Sequence, residues 1–271
     1  MRFSNKVVVV TGGGNGIGRE VVLEMLHRGA KVAAVDLRKD SLNETAELAD
    51  AGDRLATFAV DITDRDAVDS LPAQVAEALG EPDILINVAG IIQPFVRIVD
   101  LDYDVIERVI DVNLYGTLHT VKAFLPRLLQ RPAAQVVNVS SMGGFLPVPG
   151  QGVYGASKAA VSLLTEALYS ELLDTPVGVT LVYPGAVGTD ITANSGVDRP
   201  GAKDDPPEAE ASAKQQTLSP QEAARLIVEG VAADKLHVFV GRDSRVMNLL
   251  TRTAPRRAAR MIQRKMRHLL G

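Results

Sequence analysis

The chain has 271 residues, 46% of them apolar and 23% charged, with no cysteine; this suits a globular protein with a full core and excludes a disulfide framework and thiolate chemistry. No apolar run approaches the roughly 18–20 residues of a membrane helix, and Val7–Val10 is too short for a signal-peptide core, so a cytoplasmic protein is expected. The net charge of −4 conceals an asymmetry: residues 242–271 hold nine Lys/Arg and one Asp, a net of +8, which leaves −12 on an acidic body that would repel nucleic acid.

In chain order, the β-branched run 5–10 reads as a strand that ends in TGGGNGIG, and the spacing of Val21, Val22, Met25 and Leu26 predicts a helix after it. Further strands are expected at 31–36, 55–61, 83–90, 134–141, 178–185 and 237–241. Helices are expected at 41–50, 64–79, 103–130, 154–173 and 219–233. The strands are continuous apolar runs rather than alternating ones, the mark of a parallel sheet covered on both faces. Strict alternation of strand and helix then predicts an α/β fold, a doubly wound parallel sheet of seven strands with helices on both faces (Rossmann fold), as a single domain over 1–241. Residues 190–218, rich in Pro, Gly, Ala and charge, read as a variable substrate loop. Residues 242–271 read as a basic C-terminal helical extension, broken at Pro255.

The loop Thr11–Gly18 joins the first strand to the first helix. Its glycines allow a tight turn and a close backbone approach to a pyrophosphate at the helix N-terminus. The literal G-x-G-x-x-G is absent in every register; the pattern is T-G-x-x-x-G-x-G through Gly12, Gly16 and Gly18, enclosing Asn15 and Ile17. Asp36 closes the second strand, 18 residues after Gly18. A carboxylate there accepts hydrogen bonds from adenosine ribose hydroxyls and repels a 2′-phosphate. Asn15 and Leu37 are uncharged where a basic side chain would have paired that phosphate; Arg38 follows directly. NAD is expected ahead of NADP. The four histidines are scattered without ligand-like spacing, so no metal site is expected.

The motifs TGGGNGIG at 11–18, Asp61 after the third strand, NVAG at 87–90, Asn113, Ser141 in NVSS, YGASK at 154–158 and PGAVGT at 184–189 occur together in this order. In this, the chain resembles the classical short-chain dehydrogenase/reductase family over nearly its whole length, with N-V-A-G in place of the commoner N-N-A-G. The resemblance implies hydride transfer between a nicotinamide and a secondary alcohol or ketone, with Asn113, Ser141, Tyr154 and Lys158 as the catalytic set. By the same resemblance the cofactor would also meet Asp61, Ile62, Asn87, Ala89, Gly90, Pro184, Gly185, Val187 and Thr189, with Lys158 on the nicotinamide ribose. Ser141 would polarise the substrate oxygen, and Asn113 would hold a relay water.

Helix geometry bears on the same pair of residues, because i and i+4 share a face, which sets the Tyr154 hydroxyl beside the Lys158 ammonium. A cation about 4–5 Å away would favour phenolate by roughly 3–4 kcal/mol, making Tyr154 a usable acid–base at neutral pH. Period-two alternation points Ser140 away from the side that Ser141 faces. Apolar residues expected at the mouth (Ile91, Ile92, Phe95, Met142, Phe145, Leu146, Val148, Val153) suggest a lipophilic substrate of steroid, terpenoid or fatty-acyl type. The alternatives are an NADPH-dependent 3-ketoacyl reductase and a non-catalytic NAD-binding sensor or scaffold. Helices 103–130 and 154–173 carry surplus apolar side chains (Leu114, Leu118, Val121, Phe124, Leu125, Leu163, Leu164, Leu168), and the resemblance implies a homodimer or homotetramer through them. In the tail, Arg256, Arg260, Arg264 and Arg267 form one stripe, and Ala258, Ile262, Met266, Leu269 and Leu270 fall on another face. Packing of that apolar face on the body, with the arginines solvated or paired to its acids, is expected ahead of peripheral contact with an anionic membrane.

Overall fold

The computed structural model describes residues 2–197 and 217–266. The middle of the expected substrate loop, and Arg267, Leu269 and Leu270 of the tail, lie outside the described residues. The strands are β1 (Val7–Thr11), β2 (Lys31–Asp36), β3 (Leu55–Ala59), β4 (Ile84–Asn87), β5 (Ala134–Val139), β6 (Val177–Pro184) and β7 (His237–Val240). They form one parallel sheet in the order β3-β2-β1-β4-β5-β6-β7. The direction of winding reverses between β1 and β4, and such a switch point opens a crevice at the strands' C-terminal ends.

Successive residues of β1 serve opposite cores, which is why its sequence shows no alternation. Val8 and Val10 pack with α1 (Gly16–His27) and α8 (Pro220–Ala232) through Val22, Met25 and Ile227. Val7 and Val9 pack toward α3 (Arg65–Leu79), α5 (Gly116–Leu128) and α6 (Gly152–Glu171) through Leu71, Val75, Phe124 and Leu168. Each such buried aliphatic side chain contributes roughly 1.5–3 kcal/mol. Helix α2 (Lys39–Ala49) flanks β3.

Three expectations change. Most strands are shorter at their C-terminal ends than their apolar runs, because residues such as Val88–Gly90 and Ser140–Ser141 leave the ladder to build the site. The expected helix 103–130 is divided into α4 (Tyr103–Ile110), a π-helical turn over Asp111–Tyr115, and α5. Val121, Phe124 and Leu168, read as surplus, are core.

After β6 come the short α7 (Ile191–Asn194) and, past β7, α9 (Arg242–Thr253) and α10 (Pro255–Met266). Pro255 marks the break, as expected. Ala258 and Ile262 are buried, and α10 lies against α9. Arg256, Arg260 and Arg264 are exposed, and no carboxylate among the described residues pairs with them. No helix among the described residues is long and apolar enough to cross a membrane.

Candidate active site

The glycine loop is shaped by two left-handed turns and one close backbone approach. Gly12 and Gly16 have φ of +71° and +51°, a region that side chains disfavour. A Cβ on Gly18 would stand 2.0 Å from the Gly12 carbonyl oxygen, so only glycine lets the first turn of α1 fold onto the loop. Asn15 caps that helix, its side chain accepting from the Gly16 N–H at 2.6 Å. Behind the loop, Arg19 Nε donates to the Gly14 carbonyl at 2.9 Å and the Thr45 hydroxyl donates to that of Gly13 at 3.0 Å.

Asp36 is held by two backbone amides: Oδ2 accepts from Gly14 N–H at 3.0 Å and Oδ1 from Arg38 N–H at 3.1 Å. Its carboxylate therefore faces a cleft of about 620 Å³ that runs along the switch point. Gly12, Asn15, Gly16, Ile17, Gly18, Asp36, Leu37, Asp61, Ile62, Ala89, Gly90 and Thr189 all line it. Asp61 makes a tight turn, accepting from the backbone and hydroxyl of Thr63 at 2.9 and 2.7 Å.

Six expected cofactor residues do not line that cleft: Tyr154 and Lys158, which lie beyond its Gly90 end, and Asn87, Pro184, Gly185 and Val187. Asn87 is 3% exposed and inside the sheet: its Nδ2 donates to Asn138 Oδ1 at 2.9 Å and its Oδ1 accepts from Thr120 at 2.8 Å. Pro184 is buried in β6, Gly185 N–H donates to the Val240 carbonyl at 2.9 Å, and Val187 packs on the core. Conversely, the cleft has a rim of Asp104, Glu107, Arg108 and Asp111 from α4 and the π turn, plus Arg38 and Asn194. Those residues carry no spacing signal; they reach the cleft because α4 folds over it.

Beyond Gly90 the catalytic candidates converge. A Cβ on Gly90 would meet Lys158 Nζ at 2.9 Å and Asn113 Oδ1 at 3.1 Å. A Cβ on Gly143 would meet the Tyr154 ring at 3.2 Å and Ser141 Oγ at 3.4 Å. The Ser141 hydroxyl is hydrogen-bonded with the Tyr154 phenol and also accepts from Gly143 N–H at 3.0 Å. Ser140 faces the other way, donating to the Lys158 carbonyl at 2.7 Å.

The electrostatics correct the sequence reading. Burial pushes the Tyr154 phenol above its ordinary value, and the Ser141 hydrogen bond offsets this only in part. Burial brings the Lys158 ammonium down to about 8. Its Nζ donates to the Val139 carbonyl at 3.1 Å, toward β5. In this arrangement burial, and not the lysine, sets the direction of the phenol's shift.

Asn113 is fully buried in the π turn. Its Oδ1 accepts from Ile91 N–H at 2.9 Å, and Nδ2 donates to the Ile91 carbonyl at 3.0 Å and to Ser157 Oγ at 2.9 Å. Both amide hydrogens are thus committed to tying the loop after β4 to α6, which leaves none to donate to a relay water. A π turn inserted in a long helix is characteristic of functional positions, and here it aims this one amide.

Gln93 was not expected. It is 1% exposed, and its Oε1 accepts from the Val153 and Tyr154 N–H groups at 2.8 and 3.0 Å. Its Nε2 donates to the Gly150 carbonyl at 2.9 Å, and its own carbonyl accepts from Gln151 Nε2 at 2.7 Å. It supplies the N-terminal acceptors for α6 from 60 residues away, which no local capping pattern reveals. Gln93→Leu should lower stability by about 2–4 kcal/mol in denaturant unfolding, the cost of two unpartnered buried amides. An unchanged midpoint would contradict this.

A family model described as short chain dehydrogenase matches residues 6–200. A Mycobacterium tuberculosis protein called SadH, described as an oxidoreductase, is 37% identical over 254 residues, covering 92% of this chain and 91% of its own. The crystal structure of a short chain dehydrogenase/reductase from Burkholderia phymatum in complex with NAD matches with TM-score 0.81 at 26% identity, over 93% of this chain and 96% of that one. A short chain dehydrogenase from Burkholderia cenocepacia in complex with NADP shares the fold, with TM-score 0.79 at 24% identity over 97% and 99% of the two chains. With its Gly12–Gly18 loop, its switch-point cleft and its Ser141–Tyr154 pair, this chain belongs to the classical short-chain dehydrogenase/reductase family of oxidoreductases.

Proposed function

We propose that residues 1–241 form an NAD-dependent dehydrogenase/reductase that interconverts a secondary alcohol and a ketone of lipophilic type, in the cytoplasm. The convergence of Ser141, Tyr154 and Lys158 at the Gly90 end of the cleft carries this reading. A dinucleotide fits the residues present: Gly12 and Gly18 admit no side chain, and Asp36 is aimed at the cleft by two amides. When bound, the nicotinamide would supply the hydride acceptor or donor.

The protein's own groups do the rest. Ser141 donates a hydrogen bond to the substrate oxygen where charge develops, stabilising it in a partly dry site. Tyr154, held protonated by burial, gives its Oη proton to that oxygen in the reductive direction and takes it back in the oxidative one. Lys158 holds positive charge beneath Gly90 and would hold the nicotinamide ribose when the dinucleotide is bound. Asn113 and Gln93 are positioning residues for the loop after β4 and for α6. Ile98 and Val99, 71% and 83% exposed close to the start of α6, give the approach an apolar lip. A panel of secondary alcohols and ketones, followed by absorbance at the NADH band, tests the reaction class; absence of turnover across the panel with either cofactor would count against it.

Cofactor choice rests on Asp36 with the rim acids Asp61, Asp104, Glu107 and Asp111, against Arg38 and Arg108. NAD should bind at least about tenfold more tightly than NADP, and Asp36→Ala should narrow the gap by relieving repulsion of the 2′-phosphate. Fluorescence titration with both reduced cofactors measures it, and equal or reversed affinities defeat the assignment. The exposed Tyr115, Leu163, Tyr169 and Leu173 on and beside the π turn and α6 support a homodimer or homotetramer. Light scattering at micromolar concentration should give at least twice the chain mass.

A further inference from the structure

The C-terminal helix pair carries charge that the rest of the chain does not answer. On α10, Arg257, Arg260, Met261, Arg264 and Lys265 recur at steps of three and four and share one exposed face, while Ala258 and Ile262 are buried on the other side. On α9, Val246 and Leu249 are 63% and 64% exposed among the exposed Arg242, Arg245 and Arg252. Among these residues the single acid, Asp243, is already engaged, accepting from Ala186 N–H at 2.8 Å. No carboxylate pairs with any basic residue of 242–266 among the described residues. Elsewhere about half of the described arginines meet a carboxylate, such as Arg28 with Glu24 and Arg225 with Glu222 and Glu229, whereas in 242–266 none does. Like charges four apart, such as Arg256, Arg260 and Arg264, destabilise a helix, so folding alone gives no reason for this face.

We propose that the exposed face of α9 and α10 docks the protein on an anionic phospholipid surface, with the arginines at the headgroup phosphates. The apolar side chains interleaved with the arginines, Val246, Leu249 and Met261, suit an interfacial surface. Neither helix carries an aromatic side chain on which a nucleic-acid base would stack. The location also fits. Helix α9 leaves the C-terminal end of β7, the same end of the sheet at which the cleft lies, and rests against the 142–144 turn next to Ser141. Docking there brings the substrate side close to the lipid. The apolar face of α10 faces the protein, so the contact is electrostatic and peripheral.

The test is co-sedimentation of the full chain with phosphatidylcholine vesicles, with and without phosphatidylglycerol. Binding is expected only with phosphatidylglycerol and should fall steeply as salt is raised. Each basic side chain near such a surface is worth about fivefold, so Arg257→Gln/Arg260→Gln/Arg264→Gln should bind roughly a hundredfold more weakly. Its melting temperature should hold or rise slightly, as repulsion along α10 is relieved, and its turnover of a water-soluble alcohol should be unchanged. The proposal is overturned if the unmodified chain ignores phosphatidylglycerol vesicles at low salt, or if the triple variant binds them equally well. It is equally overturned if duplex DNA competes as strongly as the vesicles. A change in the variant's mass by light scattering overturns it too, by assigning the face to a second copy of this chain.

Discussion

Tyr154→Phe is expected to lower kcat by roughly 10³-fold or more while leaving NAD affinity within about twofold. The substitution removes one oxygen and leaves the ring that packs beside Gly143, so the loop and α6 keep their geometry. Among the described residues the Tyr154 oxygen is the titratable group beside Ser141, and general acid–base catalysis by such a group contributes about 10²–10⁴. Loss of the phenol also frees the Ser141 hydroxyl, which still accepts from Gly143 N–H and keeps its place. Ser141→Ala should therefore cost less than Tyr154→Phe, since it removes one stabilising donor and no proton. Steady-state kinetics on both variants, with cofactor titration on each, separates the roles. A Tyr154→Phe enzyme that keeps most of its kcat would sink the mechanism.

The sheet was legible because its strands are buried on both faces, so their residues are apolar without a break; Val7–Val10 is the clearest case. The glycine loop and Asp36 were legible because each needs one residue type at one place: Gly18 has no room for a Cβ, and Asp36 must accept from the Gly14 amide. Other features depend on residues that meet only after folding. Gln93 and the N-terminus of α6 are 60 residues apart, and nothing local to either announces the other. The π turn is invisible to periodicity because it is a single turn of five residues, too short to set up a period of its own. Asn87 was expected to meet the cofactor from the family resemblance, through its place in N-V-A-G ahead of Ala89 and Gly90, which line the cleft. In the fold it bonds to Asn138 and Thr120, and Thr11 Oγ1 accepts from the Val88 and Ala89 amides at 3.2 and 3.3 Å, so this buried network sets the loop from beneath. The Tyr154–Lys158 spacing was read correctly as one helical face. Its electrostatic consequence was not, because burial acts on each group separately and that depends on the packing around them.

Lys158→Met should make the protein more stable at pH 7 while removing most of its activity. The ammonium is 4% exposed, and burial brings it from 10.5 to about 8. Because the folded-state value is the lower one, burial disfavours folding at every pH below about 8, where both states hold the proton. The displacement corresponds to about 3 kcal/mol of lost stability. Between pH 8 and 10.5 the unfolded chain keeps its proton longer than the folded one, so native stability rises with pH across that window. Methionine removes the penalty at a similar volume. It also leaves the Val139 carbonyl without the Nζ donor now 3.1 Å away, a loss of about 1 kcal/mol. The net gain of about 2 kcal/mol should raise Tm by roughly 4–8 °C at pH 7. By pH 10 the two proteins should differ far less. Calorimetric melts at both pH values decide it: a methionine variant less stable at pH 7, or a gap that fails to close with pH, would show that the buried charge carries no such cost. If the gap closes and activity is lost, a folding penalty is being sustained at this position for what a charged side chain does beneath Gly90. Stability conceded at a functional position in this way is a general pattern, and it separates a working lysine from one that merely packs.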